Sequence, residues 1–482
     1  MDNNVYFKEI EWPEFGIAKF PGAPSLAEIE SRISLCYDAM ESRGLTHLIV
    51  YGDREHFANL MYLTHFDPRF EEAVLILSAT DSRLIKADSS LTKANSPLIL
   101  VGNECVGHLP VSPLYNAGRL RYECYQSLSL LSQPRDDSRP LETIFRSEGI
   151  DQNSKVGCVG WKYFSEKEFA DYQQRIEIPA FIVDTLRSVC GFQNVVNATD
   201  LLMSPGYGLR TVCSAYEIAF FEFSNVMASE GVKNVLKNFR VGVTDFELLR
   251  EYQYTGYPLS CYIGIKSSGN QHYGLSSPVG AIVEKGYPCS TNIGYWGSNI
   301  CRAGWIAEDE ADLPETAKGY VENFVMPYFR ACKIWFENLT IGTKGKVLQE
   351  VIDSNLPFDD FGIFLNPGHL IHLDEWVSSP IYKDSNDEIR SGMYIQVDII
   401  PRSKKYSSTR MEDGIVVADQ ELQAQLKEQY PDVYDRCMSR RKFMIERLGF
   451  RLPDEILPLS NIPAIIAPYF LNHKKILSFN HE

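Results

Sequence analysis

Nine histidines occur in 482 residues, and three of them stand among glycines and carboxylates in a way that chemistry could use. His272 lies in SGNQHYG, and His369 and His372 lie in NPGHLIHLDEW. Asp398 sits in VDIIP, and Arg410 and Glu412 in TRMED. An imidazole titrates near pH ~6.5, so each histidine could take a proton from water and return it to a leaving group near neutrality. A single histidine of this kind is more often structural or solvent-facing; it is the accumulation of imidazole, carboxylate and guanidinium in glycine-rich segments that points to a site. A further stretch, STNIGYWGSNICR from Ser290 to Arg302, carries Asn292 and Asn299 on either side of a glycine-aromatic turn. A carboxylate in such a place binds hard divalent ions by charge as well as by lone pairs, whereas an amide offers one neutral carbonyl oxygen.

Composition bounds what these groups can serve. A chain of this length exceeds the roughly 250–300 residues at which one core stops growing, so two domains are expected. Hydrophobic content of 44% with 23% charged residues is that of an ordinary globular protein. No apolar run approaches the roughly 18 residues of a membrane span. A net charge of -16 excludes nucleic acid and anionic membrane as partners, because both require basic patches that displace counterions. The start, MDNNVYFKEIEWPEF, has no basic region followed by an apolar core, so a cytoplasmic location is expected. The eleven cysteines run from Cys36 to Cys437 without a CxxC pair, which predicts reduced, mostly buried thiols.

The elements that must position the site follow from pattern. The segments WPEFG and FPGAPS read as an irregular arm, and LAEIESRISLCYDAMESRG as a helix ending at Gly44. The apolar runs THLIVYG, AVLILSA and KVGCVGW alternate with polar or helical stretches, predicting an α/β domain over residues 1–205. From Leu209 the texture changes. Ser214 and Glu217 have capping-box spacing at the head of a long helix, on which Tyr216, Phe220, Phe223 and Met227 form a packing stripe. A second helix is expected over about 315–339, interrupted by Pro327, with strands at VGAIVEKG, GMYIQVDIIP and MEDGIVVAD. Residues 206–440 therefore read as an α+β domain. Residues 441–482 read as an extension apolar enough to pack on the body.

In this order along the chain, LRTVCSAYEI, HYG, NICR, NPGH, SGMYIQVD and TRMEDGIVV resemble the pita-bread superfamily of creatinase, aminopeptidase P, prolidase and methionine aminopeptidase. REHFANLMYLTHFDPRFEEAVLIL resembles the entry motif of the creatinase-type N-terminal domain. The resemblance implies a creatinase-like α/β domain followed by a pita-bread α+β catalytic domain, and a homodimer in which the N-terminal domain lends residues to the partner's site. The metallopeptidases of that superfamily hold two divalent ions with two Asp, one His and two Glu. Those positions fall here on Asn292 and Asn299, His369, Asp398 and Glu412. The turn between the asparagines is shorter than the family's, and the segment after His369 carries Glu375 where a further histidine is usual, with His372 as its shifted stand-in.

Losing two aspartates makes a dinuclear centre untenable and leaves at most one ion on His369, Asp398 and Glu412. Creatinase, the metal-free branch, is similar in replacing the aspartates and keeping a histidine at the position of His272. The resemblance implies His272 as base and acid, His369 and His372 as further catalytic groups, and Asp398, Glu412, Arg410 and Glu375 as substrate-binding. Arg69 of FDPRFEE matches the arginine with which creatinase reaches across the dimer to a substrate carboxylate. Cys301 replaces a creatinase glutamate, which argues against creatine itself. The leading expectation is a hydrolase of a C–N bond in a small zwitterionic, amidine or amide substrate, or a short peptide, needing no cofactor. A single-metal Xaa-Pro peptidase and a non-catalytic binder of a peptide or partner protein are the alternatives.

Overall fold

The computed structural model describes residues 4–79, 96–268 and 276–480. The chain forms two compact units, Gly22–Arg210 and Met1–Pro21 with Thr211–Glu482. The opening arm thus goes with the second unit and not with the 1–205 domain expected for it. The reason is a partner far away in sequence: strand β1 (Val5–Glu9) pairs antiparallel with the last strand, Lys475–Phe479, from Val5↔Phe479 to Glu9↔Lys475. The tail is likewise part of that unit.

In the first unit, helix α1 (Leu26–Ser42) starts at Ser25, whose hydroxyl accepts the Glu28 amide hydrogen. Strands β2 (His47–Gly52), β3 (Ala73–Ser78), β4 (Leu98–Val101), β5 (Arg121–Cys124), β6 (Val156–Val159) and β7 (Val195–Asn197) form one mixed sheet in the order β5-β4-β3-β2-β6-β7. β2, β3, β4 and β6 are buried along their whole length, in keeping with their short, mostly apolar runs. Ile49, Ile76, Leu100 and Val156 of the sheet meet Ile144, Phe145, Ile182 and Leu186 of flanking helices in the core. Helix α2 (Ala58–Thr64) is closed by His65 in the left-handed region, φ 55°. Burial, with a smaller push from Arg32, lowers the His65 pKa to about 4. The unfolded chain then takes up a proton near pH ~6.5 that the folded chain refuses until about pH 4. Stability should fall over that window as pH drops, by up to about 3 kcal/mol. His65→Asn, which keeps a residue tolerant of φ > 0, should flatten the dependence in urea titrations at several pH values.

The second unit holds a sheet in the order β13-β10-β9-β8, made of β8 (Leu259–Lys266), β9 (Pro288–Tyr295), β10 (Ile300–Trp305) and β13 (Arg410–Glu412). A second sheet in the order β11-β12-β14-β15 contains β11 (His369–Leu370), β12 (Tyr394–Gln396), β14 (Gly414–Val417) and β15 (Ile456–Pro458). The long helix α3 (Ala215–Lys237) begins with the expected capping box of Ser214 and Glu217. It is buried almost all round, and Tyr216, Phe223 and Met227 form its less buried side, with Phe223 packed on Phe20 and Tyr257. Phe220 of the expected stripe is buried, as are Ile218, Phe221, Val226 and Val232. Its Glu222 is wholly buried and receives a fork from Arg436 and a single hydrogen bond from Arg440, so the C-terminal region is fastened to the helix by charge-assisted hydrogen bonds.

Two expected elements differ. The helix expected over 315–339 begins as a π-helical turn, Val321–Val325, and continues without a break as α4 (Met326–Asn338), so Pro327 stands where the π turn gives way to the α-helix. VGAIVEKG is not a strand: the amides of Val279 and Gly280 donate to the Asp245 carboxylate, and Ile282 makes a single bridge to Thr244. A side-chain acceptor has taken the first two amides, and the backbone pairing that remains, such as the Val283 amide to the Val243 carbonyl, is too short to make a ladder. The eleven cysteines are all free, and only Cys124 and Cys261 are less than fully buried. Among the described residues no helix is long and apolar enough to cross a membrane.

Candidate functional site

The stretch 288–305 is a hairpin, and its register places the site. Asn292 on β9 faces Cys301 on β10, which faces Glu412 on β13. Residues opposite one another share a face, and Asn299, two before Cys301, follows the same alternation. The turn depends on Gly297, which has φ +81° and whose absent Cβ would lie 2.1 Å from the Phe221 ring. On the opposite face of β10, Arg302 donates to both oxygens of Asp413, at 2.8 and 3.0 Å, and to the Ile462 and Ile465 carbonyls. That buried fork fixes β10 against the chain that follows Glu412.

The second sheet brings the imidazole. His369 pairs with Gln396 across β11 and β12, and Gly368 before it, at φ +116°, lies where a Cβ would press on Trp335. The His369 ring is fully buried and stacks on Trp376 with centroids 4.0 Å apart. Its Nε2 lies 3.4 Å from Glu375 and 4.0 Å from Asp398. Ligand atoms of His369, Asp398 and Glu412 all fall within 4.8 Å of one another. Gln396 joins the two sheets, donating to the Asn299 carbonyl and, at 3.4 Å, to Glu412.

Electrostatics follow from burial of so many charges. Burial disfavours the Glu412 carboxylate, and the fields of Asp398 and Glu375 add to it, so its pKa stands well above the usual range. Burial also raises Asp398, against the pull of His369 and Arg410. For His369 burial works against the imidazolium, but Glu375 and Asp398 outweigh it and the pKa is raised. Arg410 reaches Glu412 at 4.0 Å. Burial pushes the Cys301 thiol up to about 12, which removes it as a nucleophile at neutral pH. Buried atoms without a hydrogen-bond partner among the described residues include Oδ1 of Asp398, Oδ1 of Asn299, Oε1 of Gln396 and Nε of Arg410. Such a convergence of orphaned acceptors and donors is the mark of a place built for something else to bind.

A dinuclear metal pair does not fit. The Asn299 amide donates to Glu412 at 2.8 Å, and the Asn292 amide to the Tyr262 carbonyl at 3.1 Å. Both put N–H donors where a pair of ions requires anionic oxygens. One divalent ion does fit the donor chemistry of His369, Asp398 and Glu412.

His272 lies in 269–275, outside the described residues. His372 is brought elsewhere: its Nε2 pairs with Glu217 at 2.9 Å and its ring meets Phe221 edge-on, so it tethers the start of α3 and is not in the converging trio. Arg69, in the first unit, is half exposed with φ 56°, and its Nε lies 3.4 Å from Asp67. Glu71 and Glu72 face other partners, the amides of Glu104 and Cys105 and the Tyr51 hydroxyl. Gln396 was missed by motif reading; its signal was a lone amide in the apolar run YIQVDII, which a buried strand tolerates only with a partner.

A scan against protein-family models finds no match, and neither does a search of curated proteins. Solved structures do match. The prolidase from Pyrococcus horikoshii superposes with a TM-score of 0.58 at 13% identity, over 80% of this chain and 95% of that one. The dipeptidase PepE from Mycobacterium ulcerans gives 0.57 at 18%, over 82% and 95%. The N-terminal domain of the FACT complex subunit SPT16 from chickpea gives 0.57 at 12%, over 82% and 95%. At such identities the likeness is one of fold. The chain has the fold of these prolidase and dipeptidase structures, an α/β N-terminal domain followed by a pita-bread α+β domain.

Proposed function

We propose that the chain hydrolyses a C–N bond in a small zwitterionic, amidine or amide substrate, or a short peptide, at the His369–Asp398–Glu412 site, without a metal. The supporting observation is the hydrogen bond from the Asn299 amide to Glu412. Two carboxylates at that distance need a cation or a proton between them; an amide facing a carboxylate needs neither. The raised pKa values of Glu412 and Asp398 likewise let the site balance its charge with protons.

In this reading Asp398 and Glu412 hold the cationic or amidine end of the substrate. A water is deprotonated by His272, a role carried over from the resemblance, and its oxygen bonds to the carbonyl or amidine carbon. The His369 imidazolium gives its proton to the nitrogen as the C–N bond breaks, so an amine leaves and the carbon keeps the hydroxyl. Glu375 favours that imidazolium and positions it. The homodimer, with Arg69 serving the partner's site, is part of the same proposal.

A second reading has its own observation, the three ligand atoms within 4.8 Å of one another. One divalent ion there would act as a Lewis acid on a peptide carbonyl, as a peptidase requires. The deciding assay follows amine release from a panel of amino-acid amides, Xaa-Pro dipeptides, ureido acids and guanidino acids, with and without chelator. Turnover that survives chelation is expected. Turnover abolished by chelator and restored by a divalent ion would establish the second reading, and no turnover on any member would leave a binding protein.

A further inference from the structure

The first unit holds a cavity of about 490 Å³, lined entirely by its own residues and within the roughly 300–1,000 Å³ range of small-ligand sites. Its floor is apolar: Leu45, which leads into β2, Val196 of β7 and the buried Ala198 just beyond. Four rings wall it. Tyr163, Phe164 and Tyr172 come from the segment after β6, and Tyr207 from the turn that follows the short helix Asp200–Met203.

That turn is specified by its sequence. A Cβ at Gly208 would lie 2.6 Å from the Ser204 amide nitrogen and 2.7 Å from the Leu202 carbonyl oxygen, so the chain closes there only on glycine. The Tyr207 ring it presents is 54% exposed and is nevertheless held in place. Its hydroxyl donates to Asp200 at 2.5 Å, and the Arg43 guanidinium lies 5.4 Å from its ring centre. Arg43 is fixed in turn by a fork on Asp200, 2.8 Å to each oxygen. An exposed ring ordinarily keeps its rotamer freedom; this one has given it up before any ligand arrives, which is what a binding wall requires.

Charge narrows the ligand's class. The lining carries two cations, Arg43 and Lys155, and two carboxylates, Asp200 and Glu166. Arg43 and Asp200 neutralise each other. The other two are exposed, and among the described residues neither has an ion pair: Lys155 donates only to backbone, the Arg43 carbonyl at 3.3 Å. An aromatic cation would meet repulsion from Lys155 and an aromatic anion from Glu166, whereas a ring carrying both charges suits both.

We infer that this cavity binds a free aromatic amino acid, its ring against Tyr207 and Phe164, its carboxylate toward Lys155 and its ammonium toward Glu166. The cavity shares no residue with the His369–Asp398–Glu412 site, and the inference stands whether or not the chain is a hydrolase.

L-Phenylalanine is titrated calorimetrically into the full chain beside phenethylamine, 3-phenylpropionate and L-alanine, which lack the carboxylate, the ammonium and the ring respectively. Phenylalanine is expected to bind wild type about fivefold more tightly than either singly charged analogue and at least about tenfold more tightly than alanine. Tyr207→Ala should weaken it about tenfold, and Tyr207→Phe, which keeps the ring, by less than about threefold. Lys155→Gln should weaken phenylalanine about fivefold and leave phenethylamine unchanged, with Lys155→Arg restoring the difference. Both positions are exposed, so neither substitution removes a core contact. No binding of phenylalanine, equal binding of the three aromatic ligands, or an affinity that Tyr207→Ala and Lys155→Gln leave unmoved would overturn the site.

Discussion

Replacing Asn299 by aspartate should destabilise the metal-free protein by about 3 kcal/mol in urea titration. The side chain changes by one atom and keeps its shape. What is lost is the N–H that donates to Glu412 at 2.8 Å, and what replaces it is a second acceptor carrying charge in a buried place. Added manganese or zinc should then raise the stability of Asn299→Asp more than that of wild type, because the variant regains an anionic oxygen beside His369, Asp398 and Glu412. If Asn299→Asp were as stable as wild type in chelator, the amide would not be replacing a cation and the metal-free account would lose its main support.

The second large effect belongs to His369. Its imidazole is the one described in the trio, and Glu375 with Asp398 keeps it inclined to carry a proton. His369→Gln keeps a polar side chain of similar reach while removing the acid, together with the ring that stacks on Trp376, so kcat should fall by about a thousandfold with KM changed by only a few-fold. Circular dichroism and urea midpoints would verify that the variant is folded. A variant with kcat within about tenfold of wild type would take His369 out of proton transfer and leave it a positioning role.

How much of this was legible in the sequence differs from residue to residue. The ordered motifs led to the fold because the spacing of NICR, NPGH and TRMED reflects strand register: Cys301 faces Glu412, and His369 faces Gln396. The capping box at Ser214 was equally local and equally readable. Non-local causes were hidden. Strand β1 exists because of a partner some 470 residues away, as the pairing of Val5 with Phe479 makes plain. VGAIVEKG has strand composition but gives the amides of Val279 and Gly280 to Asp245, a residue more than thirty positions upstream. His372 looked like chemistry beside His369, yet the turn between them sends it to Glu217.

The most direct measurement is the metal content of the purified chain, by elemental mass spectrometry before and after dialysis against chelator, with hydrolysis assayed on the same samples. The account predicts well under one equivalent of any divalent transition metal and an activity that chelation leaves intact. One tightly held equivalent whose removal abolishes turnover would contradict it, and would place His369, Asp398 and Glu412 around an ion.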